Sequence, residues 1–181
     1  MKTLKLSMIS AAVITAMGMS SAYAADGANN ETTLTTGATV KVNSSTTVVK
    51  KCTTLTGGTI SFDAYVPDST TDNTKSTTIS VKCTLATPVN ISMNAGKNSS
   101  DTSVRKLLLD GGSTSNAGES LQYSLYSDSS HTTVWDSVTG VDFNGLGLKS
   151  TKTLTVYGKI PAAQDVKTGS FSDEVTVTLT Y

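Results

Sequence analysis

Cys52 and Cys83 carry the most direct covalent chemistry in this chain of 181 residues. Two cysteines in an exported protein read as one disulfide, and an oxidising compartment disfavours the alternative of two free buried thiols. The bridge would close a loop of about 30 residues and contribute on the order of 3–4 kcal/mol if unstrained. Together with the single histidine, His131, the pair makes no convincing zinc site. His131 is also the one candidate base for a Ser–His–carboxylate triad. It lies in the polar run Ser129-Ser130-His131-Thr132, which reads as surface, and no G-x-S-x-G elbow is present. Asp63 and Asp68 flank Tyr65 and Pro67. Paired carboxylates can hydrolyse glycosides, but a strand end followed by a polar loop accounts for these two. Asp68, Asp72 and Asn73 do not fit a twelve-residue calcium loop. Gly57-Gly58 and Gly111-Gly112 lack a following Lys-Ser/Thr at phosphate-loop spacing and read as turns. Trp135, with Tyr123 and Tyr126 nearby in sequence, suits core packing or a sugar-stacking platform. No catalytic residue, metal or cofactor is expected.

The compartment follows from the N-terminus. Lys2 and Lys5 precede an uncharged, mostly apolar stretch from Met8 to Met19, and Ala22-Tyr23-Ala24 has the small residues a signal peptidase needs. Residues 1–24 therefore read as a secretory signal; the apolar run is too short and too rich in Ser to span a bilayer. Removing it leaves 157 residues, suited to one domain, with 12 basic against 14 acidic side chains. There is no basic stripe, so nucleic acid is not an expected partner. Ser and Thr supply 51 of the 157, a composition that suits a stalk or a β protein with wet Thr faces. Clean alternation in many separate segments favours the folded β protein.

Those segments are short. Thr46–Cys52 reads as a strand with Val48 and Cys52 inward, and Ile60, Phe62 and Ala64 alternate after it. In Thr77–Leu85, Ile79, Val81, Cys83 and Leu85 share one face. Val89, Ile91, Met93 and Ala95 follow, then an apolar run Val104–Leu109 of uncertain shape. Leu121, Tyr123 and Leu125, then Val141 and Phe143, then Leu154, Val156 and Ile160 continue the pattern. No helical period extends over ten residues after the signal, so the fold class is all-β, a sandwich or barrel.

The two ends are the most informative. Phe171, Val175, Val177, Leu179 and Tyr181 share a parity, opposite Ser172, Glu174, Thr176, Thr178 and Thr180, with only Asp173 breaking the apolar face. This is the period of a half-buried strand, and the chain is expected to finish inside it. Upstream of Cys52, Leu34, Ala38, Val40 and Val42 also share a parity. That run is either a strand lent to another molecule or an ordinary first strand of its own sheet.

Several stretches, taken in order, resemble a known domain. They are Ile60-Ser61-Phe62 before Tyr65 and Pro67, Thr78–Cys83, Pro88–Ile91, Leu121–Asp128, Val134-Trp135, Leu154–Pro161 with Gln164, and Gly169–Asp173 with Val175–Tyr181. Over about Val48–Tyr181 the chain is similar to a spore coat protein U-like domain, the subunit type of archaic, Csu-type chaperone–usher pili. Asp63 stands where that family often has Gly, and the segment before Cys52 is longer than in some members. The resemblance implies an incomplete immunoglobulin-like β-sandwich completed by a donor strand. A periplasmic chaperone lends a strand first, and at an outer-membrane usher the next subunit replaces it. The expected division is a signal at 1–24, an extension carrying the donor strand at 25–44 and the pilin domain at 45–181. The donor residues would be Leu34, Ala38, Val40 and Val42, and Phe171, Val175, Val177, Leu179 and Tyr181 would border the acceptor groove. The implied role is a fibre subunit, moved through the periplasm to the cell surface, polymerising with copies of itself and supporting adhesion and biofilm formation. The competing expectation is a secreted monomeric β-sandwich that binds carbohydrate or acts as an adhesin.

Overall fold

A computed structural model describes residues 42–112 and 118–181. The expected signal at 1–24 and the donor residues Leu34, Ala38 and Val40 lie outside them. Val42 lies within, in no strand and 90% exposed.

Strands form where alternation is cleanest. In chain order they are β1 (Cys52–Thr56), β2 (Asn73–Cys83), β3 (Pro88–Met93), β4 (Arg105–Leu109), β5 (Ser120–Tyr126), β6 (Val141–Asn144), β7 (Lys152–Ile160), β8 (Phe171–Ser172) and β9 (Val177–Thr180). No helix occurs among the described residues. Six strands make one sheet in the order β1-β2-β7-β5-β4-β8, and three make the other in the order β6-β3-β9, with antiparallel pairing throughout. The protein is an all-β sandwich of immunoglobulin-like type. Val48–Tyr181 is one compact unit.

The inward faces meet as predicted from parity. Ile79, Val81 and Cys83 of β2, Leu121, Tyr123 and Leu125 of β5, and Val156 and Ile160 of β7 are buried against Val89, Ile91 and Met93 of β3. The Cys52–Cys83 disulfide fastens β1 to β2 where the two strands pair. Trp135 is 1% exposed, and its indole N–H donates to the Ile91 carbonyl (2.8 Å) while its own N–H donates to the Leu125 carbonyl (2.8 Å). It joins the two sheets from inside the core and forms no sugar platform.

Four expectations change. Val48 is 82% exposed and the first strand begins at Cys52, because upstream of Lys51, whose carbonyl accepts from Thr84 N (2.8 Å), no strand pairs with the chain among the described residues. Leu85 is 75% exposed, since β2 ends at Cys83 and the chain turns through Thr84–Thr87 with Ala86 at φ +58°. Gly57–Ala64 joins no ladder among the described residues, although Ile60 and Phe62 still pack on the core. The closing run is two strands: Phe171 and Ser172 pair with Leu109 and Leu108 of β4, and Val177–Thr180 pair with Met93–Asn90 of β3. The chain changes sheets between them while its in–out alternation continues unbroken.

Arg105 is the core residue that an apolar pattern hides. It is 0% exposed at the start of β4 and makes no salt bridge among the described residues. Its Nε and Nη2 donate to the Asn94 carbonyl (3.0 and 2.8 Å), Nη1 to that of Thr102 (2.7 Å) and Nη2 also to that of Trp135 (2.7 Å). Burial lowers the guanidinium pKa from its ordinary value, opposed by the negative charge of Asp173. A guanidinium does not deprotonate in a protein, so a charge is held in the core by carbonyl dipoles.

Two predictions follow from these polar anchors. Arg105→Ala takes the buried donor from three carbonyls and should lower the urea unfolding free energy by about 3–5 kcal/mol. Asp128 accepts from the backbone N–H of Thr132 (3.1 Å) and of Thr133 (2.6 Å), which holds its pKa at about 2 against an ordinary 3.8. The ionised form favours the folded state, so this stabilisation is complete above the ordinary value and is lost as pH falls through about 2. Asp128→Asn should therefore show a shallower fall of thermal midpoint between about pH 4 and about pH 2 than the parent.

Candidate functional site

Edges matter most in an open sandwich. On one side of β9 lies β3; among the described residues nothing pairs with the other side. The parity of the main chain there is fixed by Thr176, whose N–H donates to the Asn94 side-chain oxygen (2.8 Å) and whose carbonyl accepts from Asn94 N (3.1 Å). Even residues of β9 thus point their peptide groups towards β3. Successive residues of a strand point these groups to opposite sides. The N–H and C=O groups of Val175, Val177 and Leu179 consequently face the open edge, while their side chains face the core.

Beside this edge is an apolar groove of about 310 Å³. Its floor is Ile79, Tyr123, Leu125 and Val156 from the large sheet, one wall is Met93, Val175 and Val177, and the other is Gly57–Ile60 with Phe62. Among the described residues that second wall joins no ladder. The volume is about twice the ~150 Å³ of a cavity that stays dry and takes up a benzene ring. It therefore has room for more than one apolar side chain.

The second wall is set by a glycine. A Cβ on Gly158 of β7 would lie 2.7 Å from the Phe62 ring and 3.2 Å from Ile60 Cδ1, so a side chain there would have to push Phe62 aside. Phe62 then meets Tyr123 edge to face, with centroids 6.3 Å apart. Further along, the Tyr65 hydroxyl donates to the Pro161 carbonyl (3.0 Å) and accepts from Gln164 N (2.7 Å). The Gln164 amide pairs with both backbone groups of Gln122 (2.7 and 3.0 Å), standing in for a strand on β5. The Tyr65, Pro161 and Gln164 signature thus ties down the long connection between β7 and β8.

One end of the groove is polar. Asp173 accepts from the Tyr123 hydroxyl (2.7 Å) at one oxygen and from Lys97 N (3.0 Å) and Asn98 Nδ2 (2.9 Å) at the other. Burial, reinforced by Asp173, pushes the Tyr123 phenol well above its usual range, so it stays a donor. The residue that breaks the apolar parity is thus the one that fastens the sheet crossing.

The structure distributes the other singled-out residues as follows. Val175 and Val177 line the groove, Leu179 is half-buried further along β9, Phe171 sits on β8 at the far edge of the large sheet, and Tyr181 is 53% exposed beyond β9. His131 lies edge-on to Tyr126 (5.2 Å) and Tyr157 (6.2 Å). Asp63 pairs with Lys75 (3.0 Å), and Asp72 with Lys159 (2.8 Å), which lowers the Asp72 pKa. Among the described residues no group of three or more His, Cys, Asp or Glu is placed to hold a metal.

Comparison with known proteins agrees with this architecture. Residues 37–178 match the Spore Coat Protein U domain, and the chain belongs to that family. Protein U of Myxococcus xanthus is 34% identical over 61 residues, a match spanning about a third of each chain (34% and 34%). Among solved structures, the fold is similar to a chain of the CsuC–CsuE chaperone–tip adhesion subunit pre-assembly complex from the archaic chaperone–usher Csu pili of Acinetobacter baumannii. The TM-score is 0.53 and the identity 17%, covering 75% of this chain and 40% of that one.

If Phe62 forms the groove wall, Gly158→Ala should displace it. The variant is expected to lose about 1–3 kcal/mol of stability in urea and to bind more of a hydrophobic dye than the parent.

Proposed function

We propose that this protein is a structural, non-enzymatic subunit of a surface pilus built by the chaperone–usher route. In this reading residues 1–24 are a signal, 25–44 an extension carrying a donor strand, and 45–181 the domain that accepts one. The observation that carries it is the apolar groove lying along a strand edge that no described residue pairs with. Family membership and a fold shared with a chain of a chaperone–pilus subunit complex support it.

The physics of the groove suits strand addition. An added strand would satisfy the edge peptides of β9 and fill the apolar floor at once. Leu34, Val40 and Val42 would each contribute about 1.5–3 kcal/mol by burial, or roughly 5–9 kcal/mol before ordering costs. Release would require the sandwich to open, so the fibre would be kinetically stable. A periplasmic chaperone would cover the groove first, and an outer-membrane usher would exchange its strand for that of the next copy. Adhesion and biofilm formation would follow from the fibre. Trp135, the residue that suited a sugar-stacking platform, is buried.

Deleting residues 34–42 tests the reading. When co-expressed with a chaperone, the variant should accumulate in the periplasm yet show no fibres on electron micrographs and no multimers on unheated gels. Fibres of normal number and length would rule it out.

A further inference from the structure

We propose that the outer face of the large sheet binds a neutral glycan, with a pyranose ring seated against Tyr126, Tyr157 and His131. The site lies on the side of the sheet away from the groove and does not depend on strand exchange.

Parity places the rings. Leu125 and Val156 are buried, so their neighbours Tyr126 and Tyr157 turn to the outer face. The two tyrosines lie directly opposite each other in the β5–β7 ladder. Their Cβ atoms are therefore about 4.5–5.5 Å apart. His131 comes from the loop after β5 and meets both rings edge-on, at 5.2 Å from Tyr126 and 6.2 Å from Tyr157. Sequence proximity had grouped Tyr126 with Trp135 and Tyr123, both of which are buried; its neighbours on the surface are instead Tyr157 and His131.

The loop is built to hold His131 in place. Its φ is +55°, a left-handed conformation that costs a non-glycine residue roughly 1–2 kcal/mol. Its N–H donates to the Asp128 carbonyl (3.2 Å), and the Asp128 carboxylate accepts from Thr132 N (3.1 Å) and Thr133 N (2.6 Å). Ser127 N donates to the Thr133 carbonyl (3.0 Å) and closes the loop. Strain of this kind persists only where the surroundings enforce it, and it collects at ligand sites.

The polar groups of the three rings are unspent. Among the described residues, neither phenol oxygen and neither imidazole nitrogen makes a hydrogen bond. Hydroxyls border the cluster, since Ser76 of β2 lies opposite Tyr157 and Thr78 opposite Thr155. The charges beside it are already answered: Lys159 pairs with Asp72 (2.8 Å), and Asp128 is taken up by the loop amides. A sugar ring has C–H groups on its face and hydroxyls around its rim, which suits aromatic surfaces with free polar tips. A protein partner fits less well. Each ring offers roughly 150–250 Å² and all three are half-buried, so together they fall short of the roughly 800 Å² per side of a stable protein interface. In a fibre the site would repeat with every copy, and weak single-site binding would be multiplied.

NMR titration of the exported protein with cellohexaose, chitohexaose and mannohexaose tests the site. At least one of the three should shift the ring resonances of Tyr126, Tyr157 and His131, with a Kd below about 1 mM. Tyr126→Ala and Tyr157→Ala should each weaken that binding by about tenfold or more. Tyr157→Phe keeps the ring and its packing, and should weaken it by about two- to tenfold through the lost hydroxyl. The variant lacking residues 34–42 should bind as the parent does, which separates this site from strand exchange. Shifts with none of the three sugars, shifts confined to other residues, or unchanged affinity in both folded alanine variants overturn the proposal. Tighter binding of a sulfated hexasaccharide that is lost at high salt overturns the neutral class of ligand.

Discussion

A peptide group that leaves water must find a hydrogen-bonding partner, and that requirement governs the open side of this sandwich. The edge of β9 carries the N–H and C=O groups of Val177 and Leu179 directly beside an apolar groove. Solvent can satisfy those groups, but only by wetting the floor formed by Ile79, Tyr123, Leu125 and Val156. A strand laid into the groove meets both demands; a side chain or a small ligand meets one. The geometry of the site is therefore that of a receptor for backbone, with side-chain pockets adding selectivity.

The polar part of the fold keeps that receptor open. Arg105 gathers the carbonyls of Asn94, Thr102 and Trp135, and Asn94 in turn holds both backbone groups of Thr176. Asp173 anchors the crossing from β8 to β9 through Tyr123 and Asn98. The start of β9 is thereby fixed from the β3 side and from beneath. Gly158 does the equivalent for the opposite wall by letting Phe62 and Ile60 lie across β7. Neither wall depends on the strand that would lie between them.

Period-2 patterning made most of this fold legible. The buried faces of β2, β5 and β7 follow parity because each strand has neighbours on both sides and a core beneath it. Reading failed where a pattern continued past its partners: Val48 and Leu85 keep the parity of β1 and β2 but extend beyond the ladder into solvent. Phe171–Tyr181 reads as one strand because alternation takes no account of which sheet supplies the neighbour. Asp173 was visible as the break in that run, although its partners Tyr123 and Asn98 are distant in sequence. Arg105 gave no signal, since a charge at the head of an apolar run reads as surface. The groove is legible only in outline, because its walls come from segments about a hundred residues apart.

The β9 edge is expected to be free in the single molecule and paired in the assembly, a difference that amide hydrogen exchange reads directly. In the monomeric protein, the Val177 and Leu179 amides should exchange much faster than that of Thr178, which points towards β3. After assembly into fibres all three should be protected. Equal protection of the three in the monomer, or no slowing of Val177 and Leu179 on assembly, would show that this edge takes no strand from a neighbour.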